Sequence, residues 1–169
     1  MSFCYSLFMK KNKNDTIYKS NSYYHIYNRG NHKRKIFFQE KDYGVFERLM
    51  YKYFKKYTLM LVAYCYMPNH YHFIIKCGHN WNDIPKFMGC FMTSYVMYFN
   101  RKYLKVGHLF QGPFQVRRII GRRDLESTIQ YLRNNPVEAG LVSSKEVNSY
   151  QWLYIRKWTS SDDSGGVYE

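Results

Sequence analysis

Two strand-like runs, 58–66 and 70–75, are separated only by Met67, Pro68 and Asn69. Both are rich in β-branched and aromatic residues, and Pro-Asn is a turn pair, so the two runs are expected to pair as a hairpin. The second run begins His70-Tyr71-His72. Alternate side chains of a strand share a face, so His70 and His72 point one way and Tyr71 the other. Two imidazoles at that spacing can hold one metal ion. Beside a cationic surface, such an ion suits phosphodiester chemistry.

The chain carries 26 Lys and Arg against 12 Asp and Glu, a net +14 over 169 residues. That imbalance favours a polyanionic partner, nucleic acid first and an anionic membrane surface second. With 19 Tyr and 12 Phe, exposed rings are also available for stacking on unpaired bases. The four cysteines, Cys4, Cys65, Cys77 and Cys90, form no close pair, which argues against a zinc knuckle. No secretory pattern and no run of transmembrane length is visible, so the expected location is cytoplasmic, with the nucleoid as its charged partner.

Residues 1–20 read as a loose arm, 21–155 as one domain and 156–169 as a disordered tail, with Trp152 and Trp158 near the end. Within the domain, 22–29 reads as a strand ended by Gly30-Asn31. Residues 40–56 carry Tyr43, Phe46, Leu49, Met50 and Tyr53 at helical steps. Asp83 is placed to cap a second helix running to about Asn100, with Phe87, Phe91, Tyr95 and Phe99 as a core stripe. Phe114–Ile120 reads as a fourth strand. Asp124 is placed to cap a third helix that should stop at Asn135, because Pro136 follows. Strand, helix, strand, strand, helix, strand is the α+β, ferredoxin-like βαββαβ order: an antiparallel sheet covered by helices, here with one additional C-terminal helix.

That last helix supplies the remaining chemistry. Tyr131 and Asn135 are four apart and share a face. The amide oxygen of Asn135 is a candidate third metal ligand, with Asn134 as the alternative. Tyr131, one turn earlier, is then placed to meet a phosphate bound to the same ion. A phenol ordinarily titrates at about 10, so a tyrosine nucleophile needs a nearby cation. Attack on a phosphodiester would store the bond as phosphotyrosine and leave a sugar hydroxyl free, which is the logic of strand transfer.

The chain resembles the single-tyrosine HUH transposases, specifically the branch related to the REP-associated tyrosine transposases. The segments that carry the likeness are YHIYNRGN at 24–31, IFF at 36–38, AYCYMPNHYHFII at 63–75, VGHLFQGPF at 106–114 and YLRNNPVEAGLV at 131–142. The resemblance implies a ferredoxin-like fold and a divalent metal, Mg or Mn, on His70 and His72. It implies Tyr131 as the nucleophile forming a 5′-phosphotyrosine bond with single-stranded DNA, Asn135 as third ligand, and recognition of a DNA hairpin. Imidazole ligands suit Mn better than Mg. Relatives include monomers and dimers in which the tyrosine helix serves the partner's site, so a homodimer is one of two expected states. One departure is Pro113, where relatives commonly carry a basic residue after the glycine.

Phosphate contacts are expected from Arg29, Lys33, Arg34, Lys35, Arg117, Arg118, Arg122 and Arg123, and from the Gly30-Asn31 backbone, with Gly30 allowing close approach. Three readings separate at this point. They are a metal-dependent strand transferase using Tyr131, a domesticated or non-catalytic module that only binds hairpin nucleic acid, and a metal-dependent nuclease using water.

Overall fold

A computed structural model describes residues 18–157. Most of the arm expected over 1–20 and of the tail expected over 156–169, Trp158 included, lies outside the described residues. Those present at the N-terminal end pack on the domain: the ring of Tyr18 stacks on Trp81 at 5.7 Å and lies 5.6 Å from Tyr24.

The expected order holds. Strand β1 (Tyr23–Arg29) is followed by α1 (Glu40–Phe54), β2 (Leu59–Met67), β3 (His70–Cys77), α2 (Asp83–Tyr103), β4 (Gln115–Ile119) and α3 (Gly121–Glu138). A short last strand, β5 (Leu153–Ile155), pairs antiparallel with β2. The sheet order is β4-β1-β3-β2-β5, and every pairing is antiparallel. Strands β4, β1, β3 and β2 have the ferredoxin-like arrangement, and β5 extends the sheet beyond β2. The β2–β3 hairpin closes at Met67↔His70 across Pro68-Asn69, as the turn chemistry required.

The sheet has two covered faces. On one, Tyr24, Ile26, Tyr71, Phe73 and Ile75 meet α1 and α2. The α2 stripe Phe87, Phe91, Tyr95 and Phe99 is fully buried there, each with at most 1% exposure. Phe46 of α1 is the hub: its ring lies within 4.6–6.3 Å of Phe91, Tyr95, Tyr66, Tyr71 and Phe73. On the other face, Tyr23, Val62, Ile74 and Ile119 meet Leu125 and Leu132 of α3. Strand alternation therefore sends one set of residues to the main core and the other set to the face beneath α3. That second face carries His70 and His72.

Three helix boundaries differ from expectation. Asp83 is the first residue of α2 rather than its cap; its carboxylate accepts the Thr58 N–H at 3.0 Å and Asn80 Nδ2 at 2.8 Å, tying α2 to the start of β2. Asp124 sits in the first turn of α3 and accepts the Ile120 N–H at 2.9 Å. Helix α3 does not stop at Asn135 but runs through Pro136, which is buried, to Glu138. The chain is released only at Gly140, whose φ of +66° is the left-handed geometry glycine takes most readily.

Asp42, fully buried in the first turn of α1, organises the α1–α2 contact. It accepts the N–H groups of Phe38 and Gln39, the hydroxyls of Tyr98 and Tyr103, and the Lys102 ammonium. Burial alone would raise its pKa, but these donors, Lys102 foremost, hold it down at about 2. A carboxyl held below its unfolded value of 3.8 contributes stability above that value and loses it as pH falls through about 2. Asp42→Asn should therefore cost about 2 kcal/mol at neutral pH, with the gap to wild type closing between about pH 4 and pH 2. Urea melts across that range measure it.

Candidate active site

The residues beneath α3 arrive from three strands and one helix. On β1, His25, Tyr27 and Arg29 alternate onto the α3 face, and Tyr27 pairs in register with His72 of β3. On β4, Arg117 pairs with His25 and points the same way. Helix α3 lays Thr128, Tyr131 and Asn135 across this surface. The strand residues, Thr128 and Tyr131 border a cavity of about 700 Å³ together with Asn28, Gln111, Gly112 and Pro113; Asn135 is not among its lining residues.

The expected metal set converges. His70 Nε2 lies 3.2 Å from Asn135 Oδ1, and the rings of His70 and His72 stand 5.0 Å apart, edge to face. Two hydrogen bonds fix the groups involved. Asn135 donates its Nδ2 to the Tyr131 carbonyl at 2.8 Å, which leaves its oxygen toward His70. Asn69 donates Nδ2 to the Lys33 carbonyl at 3.3 Å, which leaves its own oxygen 2.6 Å from His70 Nδ1. His70 therefore faces an acceptor oxygen at each ring nitrogen, that of Asn69 at Nδ1 and that of Asn135 at Nε2. Burial lowers the His70 pKa, the Asn135 contact opposes this, and Arg29 adds to the lowering, which favours the neutral ring.

A neutral His70 has one N–H, so only one of the two amide oxygens facing its ring can accept from it. A divalent cation at Nε2 would answer the other. Two ligands on neighbouring corners of an octahedron with bonds of about 2.1 Å lie about 3 Å apart, close to the 3.2 Å observed. His72 adds an orphan: its Nε2 is buried and makes no hydrogen bond among the described residues. Its pKa is pushed well down, first by burial and then by His25 and His70. Two neutral imidazoles and an amide oxygen fit Mn, and with water Mg. Among the described residues no three His, Cys, Asp or Glu side chains gather as a metal cluster, so a third protein donor to an ion on these histidines would be an amide such as that of Asn135. Asn134, the alternative, is exposed and accepts from Gln130.

Tyr131 is 47% exposed, and its ring lies 5.4 Å from the His72 ring of the same chain and 6.0 Å from that of His25. A single chain therefore brings tyrosine and histidines together.

The basic residues divide. Arg29 lines the cavity. Arg117 lines it too, but forms a two-pronged bond to Asp124 (2.9 and 2.7 Å) and reaches Thr128 at 2.8 Å, clamping the tyrosine helix to β4. Arg118 faces away: it pairs with Tyr24 and so lies on the α1–α2 side of the sheet. Adjacent strand residues cannot share a face, which the grouping of Arg117 with Arg118 overlooked. Arg122 pairs with Glu126, and Arg123 is exposed. In the β1–α1 loop, Lys33 and Lys35 are exposed, whereas Arg34 is folded onto the carbonyls of His108 and Leu109. The Asn31 N–H is also spent internally, on the Leu109 carbonyl.

Gly30 makes a close approach, but to its own chain. A Cβ there would sit 2.1 Å from the Arg34 carbonyl and 3.0 Å from Ile36. The Gly30 N–H also holds the Asn69 carbonyl at 2.8 Å, so this loop braces the turn that orients His70. Gly30→Ala should lower folding stability by about 1–3 kcal/mol, measured by thermal melting.

His25 was not foreseen. Its Nε2 lies 2.9 Å from His72 Nδ1, and both rings are buried. Burial first, then Arg117, lowers its pKa to about 4, opposed by Asp124. The alternation of 22–29 put His25 on one face of its strand, but not next to His72, because that depends on the β1–β3 register.

Compared with known proteins, residues 18–135 match the family model described as "Transposase IS200 like". No curated protein matches the sequence. Among solved structures, the fold is similar to a REP-associated tyrosine transposase bound to a REP hairpin, with a TM-score of 0.66 and 16% identity over 95% of this chain and 88% of that one. A presumed transposase from Deinococcus radiodurans R1 aligns with a TM-score of 0.49 and 20% identity, over 75% of this chain and 97% of that one.

Proposed function

Because the chain belongs to the IS200-like transposase family, we propose that it cuts and rejoins single-stranded DNA through a 5′-phosphotyrosine intermediate, with a divalent cation on His70, His72 and Asn135 and a DNA hairpin as its landmark. The observation that carries this reading is the placement of Tyr131 in the cavity that His70 and His72 line, with its ring 5.4 Å from His72 and with the Asn135 oxygen 3.2 Å from His70 Nε2. The hairpin preference rests on the similar fold of a protein whose structure holds a REP hairpin.

In this mechanism the DNA strand enters the cavity with its backbone toward Arg29 and the paired histidines. A divalent cation, when bound there, polarises the phosphodiester and steadies charge on its oxygens. The phenol oxygen of Tyr131 forms a bond to phosphorus as the bond from phosphorus to the neighbouring 3′ oxygen breaks. The phenol proton is lost and the 3′ oxygen gains one, so the products are phosphotyrosine and a free 3′ hydroxyl. The step conserves the ester, and a 3′ hydroxyl from another strand reverses it without an external energy source. Arg117, bound to Asp124 and Thr128, keeps α3 and hence Tyr131 in register with the histidines.

The test is a denaturing gel of the protein with labelled single-stranded DNA from the hairpin-bearing flanks of its own gene, in Mn. A labelled band at protein size, removed by chelator, supports the reading. Cleaved DNA without the band points to hydrolysis by water. Tight hairpin binding with neither product points to a binding module.

A further inference from the structure

His25 and His72 face each other at 2.9 Å through Nε2 and Nδ1, and two neutral imidazole nitrogens at that distance share one proton. Its location decides what His72 presents to the cavity. With the proton on His25, the His72 proton is forced onto Nε2, which is buried and makes no hydrogen bond among the described residues. With the proton on His72 Nδ1, Nε2 keeps a bare lone pair instead. A buried donor without an acceptor is the costlier orphan, and a cation answers only the lone pair. A ring that ligates a metal usually donates its other N–H to an outer partner, commonly a carboxylate or a backbone carbonyl. Here the atom in that position belongs to another histidine.

We infer that His25 is a positioning residue: it accepts the Nδ1–H of His72 and so fixes the tautomer and ring orientation in which His72 Nε2 is free to bind a divalent cation. The inference rests on the metal reading above for its consequence, but the tautomer itself is a property of the metal-free protein. β1 holds His25 in place from both sides, paired with β3 and with β4. The two imidazole centroids lie 5.1 Å apart with their planes 26° from parallel, the edge-to-edge placement that a shared ring N–H needs.

Two readouts test this. The first is the long-range ¹⁵N–¹H spectrum of the histidines in metal-free wild type at neutral pH, where His72 should carry its proton on Nδ1. The second is Mn affinity by electron paramagnetic resonance for wild type, His25→Leu and His25→Gln, each first shown to melt cooperatively. His25→Leu removes the acceptor, whereas the amide oxygen of glutamine reaches the former place of Nε2. Affinity should fall roughly 10–100-fold in His25→Leu and return to within about threefold of wild type in His25→Gln. A His72 proton on Nε2 in the wild type overturns the inference whatever Mn does. So does His25→Gln binding as weakly as His25→Leu, or His25→Leu binding as well as wild type. Wild type with His72 protonated on Nδ1 but no affinity for Mn overturns the metal reading instead and leaves the role of His25 as orienter of His72 supported.

Discussion

Tyr131→Phe should abolish the covalent protein–DNA adduct and lower strand cleavage by a factor on the order of 10³ or more, while hairpin binding stays close to wild type. The substitution removes one oxygen and keeps the ring against His72 and His25. The side chain is 47% exposed, so little packing changes and the melting curve should move by no more than about 0.5 kcal/mol. Loss of activity with binding and stability intact is the signature of a nucleophile. Cleavage rates from labelled oligonucleotide and affinities from fluorescence anisotropy separate the two effects. If the phenylalanine variant cleaves at a rate near wild type, water is the nucleophile and Tyr131 lines the site without reacting.

His72→Asn should reduce metal affinity and cleavage by more than about 100-fold, beyond the range typical of outer-shell partners. Alanine would leave a hole and strand the buried Nε2 of His25, mixing instability with loss of function. Asparagine keeps a donor near the position of Nδ1, so His25 retains its partner, but offers nothing where Nε2 stood. A folded protein that no longer responds to Mn identifies His72 Nε2 as a ligand atom. Calorimetric titration with Mn and a melting curve together decide it, and unchanged Mn affinity in a folded His72→Asn removes His72 from the metal set.

What could be read before folding was whatever follows from short spacings. The Pro68-Asn69 turn, the period-two alternation of His70 and His72, the four-residue step from Tyr131 to Asn135 and the aromatic stripe of α2 are local patterns. The fold places each as expected. The features missed depend on long-range pairing. His25 meets His72 only because β1 lies beside β3 in one particular register, across 47 residues of sequence. β5 is three residues long and stands as a strand because β2 offers an open edge. The basic residues looked alike as a string, yet the strand splits Arg117 from Arg118 and a turn folds Arg34 inward. Gly30 read as room for a ligand, while the space is taken by the Arg34 carbonyl. Pro136 read as a stop, but its ring is buried and the helix runs two residues further, to Glu138.

The central claim is that Tyr131 becomes bonded to DNA, and one measurement addresses it directly. The protein is incubated with Mn and single-stranded hairpin DNA, the adduct is isolated under denaturing conditions, digested with nuclease and trypsin, and read by fragmentation mass spectrometry. Trypsin releases residues 124–133, whose only tyrosine is Tyr131. The account predicts a phosphonucleotide on that peptide, with the fragment series placing it on Tyr131. A nucleotide on any other residue, or cleaved DNA with every tyrosine unmodified, contradicts it.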